Sequence, residues 1–182
     1  VPRRTEADLI DAFRQFVVSK GLVSEAHCHF SGDSDDCADV ELTLEAAGWP
    51  KNFPRHLLIE AKSHHSTDAP NTINKIFGQL MKETGKHCAT RVRRARSYKL
   101  AVLVPADSAH WTGSNGKRHR QPGGLVYYQS GFRRIDRRVY IEFGALVEVA
   151  YVLLYSISDA SLAVYDWVDF YDQKRPLVEY GA

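Results

Sequence analysis

Two carboxylates and one ammonium group, those of Asp39, Glu60 and Lys62, fall in segments whose patterning turns them toward a common point. Glu60 and Lys62 are two positions apart, so on an extended strand they share a face, and Asp39 lies 21 positions before Glu60. Carboxylate oxygens are hard ligands that suit Mg²⁺, which takes one or two carboxylates and keeps several waters for substrate and nucleophile. An ammonium group on the same face can approach an attacking water or a phosphate without leaving the site. Together these are the requirements of phosphodiester hydrolysis: a cation to neutralise the transition state, an activated water and a stabilised leaving oxygen. Asp39 and Glu60 are the expected ligands, the Ala61 carbonyl is a further one, and Lys62 is the group expected to assist the water.

The elements that must position these groups are visible as alternation. In residues 38–45, Val40, Leu42 and Leu44 alternate with Asp39, Glu41 and Thr43, which predicts a strand with one apolar and one polar face. After a Gly-Trp-Pro break, residues 57–63 repeat the scheme, with Leu57, Ile59 and Ala61 on one side and Leu58, Glu60 and Lys62 on the other. Pairing of the two strands would let the acids converge. Upstream, Thr5 with Glu6 and Asp8, then Leu9, Ile10, Phe13, Phe16 and Val17, predict an N-capped amphipathic helix that Gly21 ends. A short extended segment is expected at 26–30 and a turn at 31–36. Downstream, the spacing of Ile73, Ile76, Phe77, Leu80 and Met81 predicts a helix from 72 to about 86, followed by a buried strand at 98–105. Helices are expected at 125–135 and 143–148, and strands at 151–157 and 162–170. Residues 107–124, rich in Ser, Gly and basic side chains, read as a long exposed loop, more often functional than idle in a compact domain.

This arrangement resembles the PD-(D/E)xK nucleases, the restriction-endonuclease-like superfamily. The matching residues are Ala38-Asp39-Val40-Glu41 on one strand, Glu60-Ala61-Lys62 on the next and Phe77-Gly78-Gln79-Leu80 on the following helix. Glu6 matches an acidic residue that many members place on the first helix as an additional metal ligand. The resemblance covers roughly residues 5–105. It implies an α/β fold with a mixed central β-sheet flanked by helices, and a metal-dependent endonuclease that cleaves DNA with Mg²⁺ or Mn²⁺. Under it Asp39, Glu60 and Glu6 hold metal, Lys62 is catalytic base or transition-state stabiliser, and Gln79 orients the site. Ala38 stands where the family name has proline, a departure that leaves the mechanism untouched.

The whole chain bounds what else it can be. Its 182 residues, 44% hydrophobic and 25% charged, have the balance of one folded domain, read as residues 1–182 with a core at about 5–157. A net charge of +2 does not by itself mark a nucleic-acid binder, so the distribution of charge carries that question. Arg91, Arg93, Arg94, Arg96 and Lys99 fall within nine residues, Lys117, Arg118, His119 and Arg120 are consecutive, and Arg133, Arg134, Arg137 and Arg138 form a third group. Arg91, Arg93, Arg94 and Arg96, with Lys117, Arg118 and Arg120, suit a groove that holds DNA phosphates, contacts that set affinity and register. Cys28, Cys37 and Cys88 are an odd number without close pairing, which fits a reducing cytoplasm, and His27-Cys28-His29 lacks the second ligand pair of a zinc site. The most apolar stretch, 143–157, contains Glu148 and is too short to span a bilayer, so the expected partner is DNA and not a membrane. A homodimer would supply two sites for the two strands of a duplex. Restriction or other phage defence, DNA repair and a nuclease toxin domain all fit the residues. The rival reading is a non-catalytic nucleic-acid-binding module on the same fold, and a third is a protein-interaction domain using the aromatic C-terminal half.

Overall fold

The N-cap expected at Thr5 opens the first helix, and it is reciprocal. The Thr5 hydroxyl accepts from the Asp8 amide at 3.0 Å and the Asp8 carboxylate accepts from the Thr5 amide at 2.7 Å, which satisfies two otherwise orphaned donors. In the computed structural model, which describes residues 5–28, 37–63, 69–85, 98–113 and 115–181, helix α1 runs Glu6–Ser19 and buries Leu9, Ile10, Phe13, Phe16 and Val17. Gly21 follows it at a φ of 62, a left-handed conformation in which glycine carries no Cβ penalty.

Strands β1 (Val23–Cys28), β2 (Val40–Leu44) and β3 (His56–Ala61) then form an antiparallel meander. Helix α2 (Ala69–Glu83) precedes β4 (Tyr98–Pro105), which lies parallel to β3. A two-stranded ribbon of β5 (Ala109–Thr112) and β6 (Arg118–Gln121) interrupts the chain before helices α3 (Gly124–Phe132) and α4 (Arg137–Val147). Strand β7 (Val149–Ser156) is parallel to β4, and β8 (Ser161–Asp166), a short helix α5 (Trp167–Tyr171) and β9 (Val178–Tyr180) complete the described chain. The result is a mixed α/β fold around a seven-stranded sheet of order β1-β2-β3-β4-β7-β8-β9.

Alternation along the strands divides the core in two. Val40, Leu42, Leu57, Ile59, Ala61, Leu103, Leu153 and Val164 face α1, whereas Leu58, Leu100, Val102, Val104 and Val152 face α2, α3 and α4 through Ile76, Leu80, Tyr128, Phe132 and Tyr140. The sheet curls around α1. Tyr155 stacks edge-on against Phe13 and donates to the Ala12 carbonyl at 3.2 Å, while Tyr180 on the far strand donates to the Gly48 carbonyl at 2.6 Å and packs on Trp49. Phe53 and Tyr151 stack at 4.5 Å beside that closure.

Several expectations change. Residues 107–124 are not one loop, since they contain the β5–β6 ribbon. The helix expected at 143–148 begins at Arg137 because Asp136 caps it, accepting from the Arg138 and Val139 amides. The strand expected at 162–170 stops at Asp166, whose carboxylate accepts from the Val168 and Asp169 amides and starts α5. Buried residues continue past 157 through Leu162, Trp167 and Phe170. Cys37 is disulfide-bonded, contrary to the expectation of reduced thiols, while the Cys28 thiol is free and pushed up to about 11 chiefly by burial. Among the described residues no helix is long and apolar enough to cross a membrane.

Candidate active site

The antiparallel register of β2 and β3 sets Val40 opposite Ile59 and Glu41 opposite Leu58. Asp39 is the residue just before β2. The Asp39 carboxylate reaches across and accepts from the Ala61 amide at 2.8 Å, which pins it to β3 one residue past Glu60. Period-two alternation then places Glu60 on the same face as Leu58, toward α2, and Glu60 is only 3% exposed. Asp39 is thereby anchored on the β3 backbone at the residue next to Glu60.

Lys62 follows directly. Its amide donates to the Leu103 carbonyl at 2.9 Å, extending the β3–β4 ladder by one residue and holding the base of the side chain rigidly. An ammonium group this enclosed, with 11% of its side chain exposed, needs a counter-charge. Glu6 supplies one: its carboxylate lies 3.1 Å from the Lys62 ammonium, across 56 residues of sequence. Glu6 stands in the first turn of α1, where the helix dipole favours a negative charge. In this arrangement Glu6 is a partner of Lys62.

Two further residues lie beside these: Tyr128, which has no distinctive sequence signal, and Glu41, which the alternation sets on the same face as Asp39. Tyr128 of α3 is fully enclosed, and its hydroxyl donates to the Ser63 carbonyl at 3.3 Å, bracing the chain just past Lys62. Burial pushes this phenol far above its ordinary value, with the charge of Glu6 adding in the same direction, so it acts as a fixed donor. Glu41, alternating with Asp39 on β2, is 0% exposed, and neither of its carboxylate oxygens finds a hydrogen-bond donor among the described residues. Beside it Thr43 and His56, register partners, meet at 3.3 Å. Gln79 lies on α2, half-buried, with an amide oxygen that likewise finds no donor among the described residues.

The donor set suits a hard divalent cation. Asp39, just before β2, and Glu60 of β3 are the carboxylates that would hold such an ion, and Mg²⁺ requires only one or two of them. Among the described residues no three His, Cys, Asp or Glu side chains form a group that could hold a metal ion, so Glu6 does not join the two strand acids as a third ligand here. Of the basic groups, Arg91, Arg93, Arg94 and Arg96 lie outside the described residues, as do His64 and His65. Lys117, Arg118 and Arg120 are exposed on the ribbon. Lys99 pairs with Glu148 at 3.3 Å and Arg137 with Asp172 at 2.7 Å, so these two cations serve the surface of the fold. Comparison with models of known families, with curated proteins and with solved structures returns no match.

Proposed function

We propose that this chain is a divalent-metal-dependent nuclease that hydrolyses DNA phosphodiester bonds, on a restriction-endonuclease-like fold. The observation that carries the reading is the nearly buried Lys62 ammonium, held 3.1 Å from Glu6 at the end of the strand where Asp39 is bonded to the Ala61 amide. An ammonium so enclosed costs several kcal/mol to desolvate, an expense that structure alone does not require at a strand end. The order of helix, three-stranded meander, helix and parallel strand supports the same reading, because it is the order of the core that the sequence resembles.

In this mechanism Asp39 and Glu60 would hold Mg²⁺ or Mn²⁺. The cation, when bound, neutralises charge on the phosphate and makes water a better nucleophile. Lys62, whose ammonium meets Glu6 at the end of the sheet, would donate to the phosphate or orient the water, with Glu6 steadying the side chain. Tyr128 fixes the backbone at Ser63 so that the ammonium does not drift. Gln79 supports the site from α2. Purified chain with Mg²⁺ is expected to cut DNA, and Lys62→Ala or Glu60→Ala to abolish cleavage with the far-ultraviolet spectrum retained. Cleavage that survived both substitutions would overturn the assignment.

One observation favours a second reading. Asp39 and Lys62 both have structural partners, the Ala61 amide and Glu6, which fits a non-catalytic nucleic-acid-binding module. Calorimetric titration separates the two: the nuclease takes up Mg²⁺ or Ca²⁺ at Asp39 and Glu60, whereas the module binds DNA without responding to either ion.

A further inference from the structure

The ribbon of β5 and β6 leaves the sheet at the same end as Lys62. Strands β3 and β4 are parallel, Lys62 bonds to Leu103, and the ribbon begins four residues after β4 ends at Pro105. Its base is fixed. Ala109 and Gln121, register partners, are buried at 1% and 4% exposure. The Gly124 amide donates to the Ala106 carbonyl at 3.0 Å, and a Cβ on Gly124 would lie 1.6 Å from the Pro105 oxygen, so the outgoing and returning chains touch backbone to backbone. The return leads straight into α3, whose Tyr128 braces Ser63. The tip is a tight turn in which the Gly113 amide donates to the Lys117 carbonyl at 2.8 Å and Gly116 adopts a φ of 73.

Register sets His110 opposite Arg120 and Thr112 opposite Arg118, so these four side chains share one face, and all four are exposed. Lys117 adds a third cation at the tip. Elsewhere on the surface Lys99, Arg137, Arg138 and Lys174 each sit against a carboxylate. Lys117, Arg118 and Arg120 make no ion pair among the described residues. Three unneutralised cations on a short projecting ribbon are complementary to a polyanion. A two-stranded ribbon, with strands about 4.8 Å apart, also fits the major groove of B-form DNA, which is about 12 Å wide and admits such an element.

We infer that the β5–β6 ribbon enters the major groove of double-stranded DNA, with Lys117, Arg118 and Arg120 on the flanking phosphates, and that it holds the duplex over the Lys62 end of the sheet. This rests on the proposed nuclease reading for what happens there, but the binding itself needs no metal. A-form RNA has a deep, narrow major groove that excludes the ribbon, and a single strand offers no groove, so the substrate class is duplex DNA.

The test is fluorescence anisotropy in EDTA with a short DNA duplex, its isolated strand and the RNA duplex of the same sequence, across a series of salt concentrations. Wild-type chain is expected to bind the DNA duplex at least about tenfold more tightly than either other probe. The triple variant Lys117→Ala, Arg118→Ala, Arg120→Ala should lose that preference, and its log affinity against log salt should flatten by about 2 to 3. Equal binding of all three probes by wild type, or an unchanged salt slope in the variant, overturns the inference. Because no metal is present, loss of cleavage on mutating Lys62 or Glu60 bears on the hydrolytic reading and leaves this result standing.

Discussion

Glu41 poses the sharpest question at the scale of a single residue. A carboxylate with no exposure and no donor among the described residues has exchanged its hydration for nothing visible in the folded chain, and such a group costs more than a neutral one of the same shape. Glu41→Gln keeps the volume and removes the charge. In EDTA it is expected to raise unfolding stability by about 1–3 kcal/mol, read by urea denaturation, and a loss of stability would mean that the charge is compensated. Glu60 and Lys62 stand out in the sequence as a charged i, i+2 pair ending an apolar strand, and Asp39 is preferred to Glu41 only through the resemblance. The tie between Lys62 and Glu6 was not legible there, since it joins residues 56 positions apart and depends on how α1 lies on the sheet. Tyr128 was hidden for a similar reason: an aromatic in an apolar helix looks like core, and only its hydroxyl direction toward Ser63 distinguishes it.

At the scale of elements, two glycines make opposite predictions. Gly124 begins α3 against the Pro105 carbonyl, and Gly124→Ala would force those strands of chain apart. A loss of at least about 2 kcal/mol is expected, with weakened duplex binding as the ribbon shifts. Gly78 lies within α2, and nothing among the described residues stands within 4 Å of the place a methyl group would take there, so Gly78→Ala should stabilise the helix by about 0.5–1 kcal/mol. Thermal unfolding of the two variants side by side decides both, and a stabilised Gly124→Ala would show that the ribbon base is loose. Strong elements were readable from their caps and apolar spacing, α1 and β2 above all. The ribbon escaped because a strand pair exposed on one face carries no apolar alternation; its polar and basic residues look like those of a loop.

The whole molecule adds what no window of sequence contains. Seven strands curl so that Tyr180 meets Gly48 and Trp49, a closure over 132 residues that neither partner signals alone. Burial raises the phenols of Tyr128, Tyr140, Tyr151, Tyr155, Tyr165 and Tyr180, the last to about 12. The sign follows from proton counts: above the ordinary value of 10.0 the unfolded chain gives up these protons while the folded one retains them. Alkali therefore favours unfolding, and stability should fall steadily from about pH 10 upward, with tyrosinate absorbance and loss of structure rising together. Ionisation of all nine tyrosines at about pH 10 in a still-folded protein would contradict the packing.

The curl also determines who governs the ammonium end of the sheet. Helix α1 lies on the strands, tied to them by the Tyr155 hydroxyl on the Ala12 carbonyl, and the bond of Tyr180 to Gly48 closes the far rim of that cradle. Glu6 rides at the tip of that helix. If that rim seats the helix, Tyr180→Phe is expected to loosen the Glu6 contact and so weaken the hold on Lys62, although Tyr180 lies far from it in the chain.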